Sequence, residues 1–204
     1  MADKLDLYKL FKSEYVTPKK PVLITVAPAK YLVVDGTGAP GSEMFDQRMG
    51  ALFGAAYTIK FAWKKAGKQD YKVCGLEGLW WTGEEGSLAP ASAEGWRWKM
   101  MIRIPEFITV AELEAAFVAQ EKKGKDASCR VVTIETIDEG TCVQMLHVGP
   151  YATEAETIKQ MSEFAFANKL SFTGAHHEIY LSDPRRVPPE RLRTLLRHPV
   201  KTRG

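Results

Sequence analysis

No apolar run in this 204-residue chain approaches the ~20 residues that a membrane-spanning helix needs, so no membrane span is expected. The opening "MADKLDLYKLFKSEY" mixes charge into every turn and has neither a signal-peptide core nor a cleavage site, which points to a cytoplasmic protein. Cysteine is scarce. Cys74, Cys129 and Cys142 are odd in number and far apart, which excludes a disulfide framework and a zinc spacing. Each lies in an apolar, strand-like run and is expected to be a buried, reduced thiol. The four histidines also lack metal-site patterning, and His176 and His177 are adjacent, so a strand would aim them at opposite faces. No metal and no cofactor are expected. A Gly-rich phosphate loop, a nucleophile elbow and a dinucleotide fingerprint are all missing.

Charge of one sign is in short supply too, except at one end. Residues 185–204 hold seven Lys/Arg against the single acid Glu190, leaving 21 bases and 24 acids in the rest of the chain. A basic tail is one mark of nucleic-acid binding. Here the bases are interleaved with Leu192, Leu195 and Leu196, a pattern that reads as a short terminal helix docked by one face, and no direct nucleic-acid partner is expected.

What is present is a soluble, mixed composition, 45% hydrophobic and 26% charged, in a length that suits one large domain or two small ones. Strands are expected at Val22–Val26 and Tyr31–Asp35, then a helix capped by Ser42 with Phe45, Met49, Leu52, Ala56 and Ile59 at helical spacing. "DYKVCGLEGLWWT" reads as a strand, "EEGSLAPASAEG" as a loop, and "WRWKMMIRIP" as a strand with clean alternation. A second helix opens with a capping box, Thr109 to Glu112; two strands follow, and a third helix opens on Thr153 and Glu156. "HHEIYLSDP" closes the series as a strand. Sliding the chain by 111 residues sets Gly38 on Gly149, Ser42 on Thr153 and Phe53 on Phe164. Two strand-helix-strand-strand units are the reading, paired in one sheet with helices on a single face, an α+β layout. The other sheet face would be free to curve round something.

The aromatics and acids supply the candidate site. Tyr71, Trp80, Trp81, Trp96 and Trp98 fall on expected strands or their ends, and Tyr57 lies late in the first long helix. Each tryptophan alone suits a core, but "LEGLWW" and "WRWKM" crowd more rings than one layer needs, which fits an aromatic-walled pocket for a flat or cationic small molecule. On the last strand Glu178 and Tyr180 share a face. A carboxylate among rings loses hydration and its pKa rises, fitting it to bind a cation or act as a general base. The plain alternative for Glu178 is a surface pair with Arg185 or Arg186. Glu77 and His147 are further polar candidates; a hydrogen-bonded strand histidine is the plain reading of the latter.

"GLEGLWW", "WRWKMMIRIPEFIT", "GTCVQMLHVGPY", "HHEIYLSDPRRVPPERLRTLLRHPV" and "KLDLYKLFKSEY" together resemble the GyrI-like small-molecule-binding proteins, and more narrowly their stand-alone bacterial branch. The resemblance runs nearly end to end. It implies one domain over residues 1–204, with duplicated SHS2 modules at about 20–105 and 106–184, an antiparallel sheet, a terminal docked helix at 185–204, and a ligand cavity at the module junction. Relatives include effector domains of multidrug-responsive activators, in which a buried glutamate among rings binds lipophilic cations; Glu178 stands in the segment resembling that strand. The stand-alone branch implies cofactor-independent hydrolysis of cyclopropanoid alkylating natural products, a detoxification. In that reading Glu178 is the general base, Tyr57 or Tyr180 donates to the carbonyl oxygen, and Trp80, Trp98 and Trp81 stack on the substrate, with Tyr71, His147 and Glu77 as further ligand contacts. The alternative is a non-catalytic binder or sensor of lipophilic, possibly cationic, compounds. An exposed sheet edge or aromatic patch would support an oligomer.

Overall fold

Ser42 sets the start of the longest helix: its side chain accepts from the Phe45 amide, and α2 then runs Glu43–Lys65. The computed structural model describes residues 4–82, 95–125 and 127–203. The expected loop "EEGSLAPASAEG" lies almost wholly outside them. Within them a short α1 (Leu7–Leu10) precedes β1 (Val22–Val26) and β2 (Ala29–Thr37). After α2 come β3 (Glu77–Thr82), β4 (Trp96–Arg103) and α3 (Val110–Glu121), which carries the expected capping box of Thr109 and Glu112. Then follow β5 (Thr133–Ile137), β6 (Gly140–Val148), α4 (Glu154–Ala167), β7 (Leu170–Phe172), β8 (His176–Tyr180) and β9 (Arg193–Thr202).

The nine strands form an antiparallel sheet in the order β1-β6-β9-β8-β3-β4-β2-β5, with β7 paired to β9. Read from either end the order is equivalent. β1 and β2 map onto β5 and β6 at an offset of 111 residues, and α2 and α4 begin one residue after positions 42 and 153. The pairings obey the same shift: Val22 faces Gln144, and Val33 faces Thr133. Gly38 and Gly149 both take positive φ at the strand-to-helix turn, where a side chain would be strained.

Only Ala27 and Pro28 separate β1 from β2, yet the two strands lie near opposite ends of the order. Such a link spans at most about 11 Å. The sheet therefore curls until its ends approach, an open barrel with an inner and an outer face. Helices pack on the outer face, as expected. Leu52, Ala55, Ala56 and Ile59 of α2 cover Leu32, Val34, Trp98, Met100 and Ile102, and α3 packs beside them through Leu113, Ala116 and Phe117. Met161 and Ala165 of α4 cover Val143, Met145 and Leu196.

Three expectations are corrected. The inner face is not free: Glu14 and Tyr15, in the 3-10 turn Lys12–Tyr15, reach into it and bond to Arg103 and Glu77. The basic terminal segment is not a docked helix, because residues 193–202 form β9, between β6 and β8. Leu195 and Leu196 serve opposite faces there, and Arg197 is buried, so a strand lined on both sides replaces the one-sided helix that the leucine spacing mimics. Thr153 does not cap α4 with its side chain; its hydroxyl donates to the Pro150 carbonyl at 2.8 Å instead.

Candidate functional site

Antiparallel register decides what meets at the middle of the sheet, where β8 borders β3. Glu178 pairs with Gly78 on one side and Leu196 on the other. Partners across a ladder share a face, so Glu178 looks outward, into the gap between α2 over one half and α4 over the other. Gly78 puts no side chain opposite it. A Cβ there would lie 3.0 Å from Trp80 Nε1, so the glycine lets the indole fold inward. Trp80 Nε1 donates to the Tyr180 hydroxyl at 3.0 Å, and Tyr180 is hydrogen-bonded in turn to Glu178.

Glu154, the first residue of α4, completes the group. Its carboxyl stands against Glu178, with donor atoms within 4.8 Å, and beside Thr194 of β9. Both acids are nearly sealed: Glu154 is 6% exposed, and the Glu178 side chain 14%. Burial, then the neighbouring Glu178 charge, pushes Glu154 up to about 9 from 4.5. Burial also raises Glu178, to about 7, against the pull of Tyr180 and Glu154 beside it. Two carboxyls in contact inside an apolar wall share one proton at neutral pH, and the pair titrates as a unit. The pair thus holds a base and an acid together. His176 sits on the same face, its Nε2 3.6 Å from Glu178 Oε1, and burial holds it neutral. Donor atoms of Glu154, His176 and Glu178 lie within 4.8 Å of one another, a spacing that a divalent cation could close. The shared proton and the Tyr180 bond already balance the two carboxyls, so the group is read as a proton-sharing pair.

Of the expected site residues, the structure brings Glu178, Tyr180 and Trp80 together. Trp80 also meets Trp96 edge-on at 5.6 Å. Trp98 is next to Trp80 across the ladder but fully buried, packed over Gly36 and edge-on to Phe45 at 5.0 Å. Tyr57 is 47% exposed on α2, on the flank turned away from α3, and stacks with Phe61 at 6.2 Å. Trp81 points to the opposite face of the sheet from Trp80. Tyr71 lies in the core against Phe107, at the far end of α2. His147 Nδ1 bonds the Thr157 hydroxyl at 2.9 Å, a satisfied strand histidine. Glu77 is inward and buried, bonded to Tyr15 and His177. The surface pairing offered for Glu178 is excluded, since Arg185 and Arg186 both pair with Asp183. Open grooves of about 430 Å³ beside Glu43 and about 280 Å³ between α2 and α3 do not touch the pair.

Sequence reasoning missed Glu154, His176 and Tyr151, whose ring meets Tyr180 edge-on at 6.0 Å. His176 was within reach, because it shares the alternating face of Glu178 and Tyr180. Glu154 was not, because only the docking of α4 carries it to β8.

A domain with this curled sheet and a buried acid pair between two helices fits a class of small-molecule-binding folds. Residues 98–201 match the model of the GyrI-like small molecule binding domain, and the chain belongs to that family. No curated protein matches it. An uncharacterized conserved protein from Listeria innocua is similar at 38% identity over 97% of this chain and 100% of that one, with a TM-score of 0.90. A hydrolase from Listeria innocua is similar at 36% identity over 98% and 100%, with a TM-score of 0.89. The EcmrR C-terminal domain shares the fold at 9% identity, 90% and 98% coverage and a TM-score of 0.59.

Proposed function

We propose that this chain is a cofactor-independent hydrolase that opens cyclopropanoid-type electrophilic small molecules by adding water, a detoxification. The single observation that carries the proposal is the buried Glu154–Glu178 pair with Tyr180 and Trp80 in the gap between α2 and α4. Its resemblance to a protein described as a hydrolase supports the reaction class.

Water attacks the cyclopropane methylene and the strained C–C bond breaks. The released electron pair passes into the conjugated carbonyl, which becomes a phenolate and then a phenol. Glu178, ionised above about pH 7, takes the proton of the attacking water. The donor to the carbonyl oxygen, where charge develops, is assigned to Tyr57, which stands exposed on α2 outside the buried group, so a substrate would have to span from the pair to the α2 surface. Tyr180 is committed to Trp80 and Glu178, so it orients the base. Trp80 supplies the stacking surface. No oxidant or reductant is needed, because the elements of water are added whole.

The reading is tested by mass spectrometry after mixing a cyclopropanoid alkylator with wild type and with Glu178→Gln. The expected result is a water adduct formed over many turnovers by wild type and lost in the variant. Binding without turnover in both proteins would refute the hydrolase and leave a binder. In that case a carboxylate facing an indole suits a lipophilic cation, and Glu178→Gln would weaken cations while sparing neutral aromatics.

A further inference from the structure

Directly behind Glu178, on the inner face, lies a sealed ionic compartment. His177 is fully buried, with Nδ1 2.9 Å from Glu139 Oε1 and Nε2 3.1 Å from Glu77 Oε2. Glu139 also accepts from Arg197 Nη1 at 2.8 Å, and Glu77 from the Tyr15 hydroxyl at 3.1 Å. Arg197 donates further to Gln144 and to the Glu14 carbonyl, and Arg103 to Glu14 Oε2 at 2.6 Å. A neutral imidazole has one N–H and cannot donate to two carboxylates. The charges agree: Glu14, Glu77 and Glu139 against Arg103 and Arg197 leave one negative charge uncompensated unless His177 is an imidazolium.

We infer that His177, held as an imidazolium by Glu77 and Glu139, is a positioning residue for the acid pair on the other face of the sheet. Two effects act through one residue of backbone. The clamp ties β8 to β3 through Glu77 and to the β5–β6 turn through Glu139, which β9 also grips through Arg197. Glu178, next in the chain, is therefore fixed over Gly78, where no side chain props it. The imidazolium also places a positive charge behind Glu178, favouring its ionised form. On its own face Glu178 meets Glu154 of α4, His176 and Tyr180 of β8, Trp80 of β3 and Thr194 of β9, with Tyr151 and Asp183 beyond. None of these is a cation while His176 is neutral, and the positive charge that acts on Glu178 is that of His177. Burial alone would lower His177, yet Glu139 and Glu77 raise it.

The role in catalysis rests on the proposed hydrolysis; the coupling does not, and the test separates them. The double variant His177→Gln/Glu77→Gln removes one charge of each sign, keeps the side-chain volumes and leaves the compartment neutral. The Glu178 carboxyl is followed by ¹³C NMR from pH 5 to 10 in the free protein, assigned with Glu178→Gln. Of the two charges removed, that of His177 is the one that acts on Glu178, so the midpoint is expected to rise, by about half to one pH unit, with the acid limb of hydrolysis moving alongside. An unchanged midpoint in a folded double variant overturns the inference. A shifted midpoint without hydrolysis in either protein sinks the functional reading alone. Should the double variant fail to fold, ¹⁵N shifts of His177 in wild type decide: both ring nitrogens protonated between pH 6 and 8 support the clamp, and a neutral tautomer overturns it.

Discussion

Replacing Glu154 by Gln should make the protein less sensitive to alkali, by an amount the structure sets. In the folded chain Glu154 keeps its proton to about pH 9, whereas the unfolded chain releases it near 4.5. Between those values the folded state binds one more proton than the unfolded state at this position. Stability from a raised carboxyl is fully present below the unfolded value and is lost as pH rises towards the folded one, at about 1.4 kcal/mol per pH unit. From pH 5 to pH 8 wild type should therefore lose about 4 kcal/mol relative to Glu154→Gln, which has no such proton. For a chain of this size each kcal/mol moves Tm by about 2–4 °C, so the gap between the two melting curves should change by roughly 8–16 °C. Gln keeps the volume and can still donate to Glu178, so packing is little disturbed. Circular dichroism melts at half-unit pH steps are the assay. Parallel Tm profiles from pH 5 to 8 would mean that Glu154 is ionised in the folded protein, and the shared proton would have to be abandoned.

Other consequences are smaller in scope. Glu139→Ala should cost about 3–5 kcal/mol in urea unfolding at pH 7, because Arg197 and His177 lose a shared buried partner; a loss under 1 kcal/mol would show that water replaces it. Gly78→Ala should displace the Trp80 indole from Tyr180, lowering stability by about 1–2 kcal/mol and altering tryptophan emission; unchanged emission and stability would show that Met100 alone gives way. His198, stacked on Phe172 at 4.1 Å, is held neutral by burial down to about pH 4. A depressed histidine contributes stability that is present above about 6.5 and lost as pH falls, so His198→Phe should gain about 2 kcal/mol at pH 5 relative to pH 7; an equal Tm difference at both pH values would argue against it.

Most of the strand and helix order was legible from periodicity, turn residues and β-branched runs. α2 and α3 announce themselves by periodicity and by side-chain caps at Ser42 and Thr109, and the 111-residue offset already held the equivalence of β2 and β6. β9 was not legible, because Thr194, Leu195, Leu196, Arg197 and His198 are all buried without alternation, and, unlike the equally buried β2 and β6 with their β-branched residues, this run carries leucines at a spacing that mimics a helix. The same burial turned Arg197 from an expected surface base into the hub of the inner compartment. Curling of the sheet was out of reach for a related reason, since it follows from which strands pair across the halves, and no local window records that β1 leaves β2 to join β6.

The candidate site divides along the same line. Glu178, Tyr180 and Trp80 could be named in advance because two of them share an alternating strand and the third belongs to a conspicuous aromatic run. Which neighbour Glu178 would meet could not, for Glu154 reaches it only through the seating of α4 on β6 and β9. Glu77 shows the difference most sharply. It and Gly78 are adjacent in "LEGLWW", and the turn of one residue along β3 sends the carboxylate into the barrel to clamp His177 while the glycine opens the outer face to Glu178. One short stretch thus builds both sides of the site, the base's open surroundings and the charge behind it, and a slip of the β3–β8 register by one residue would exchange the two faces and destroy both.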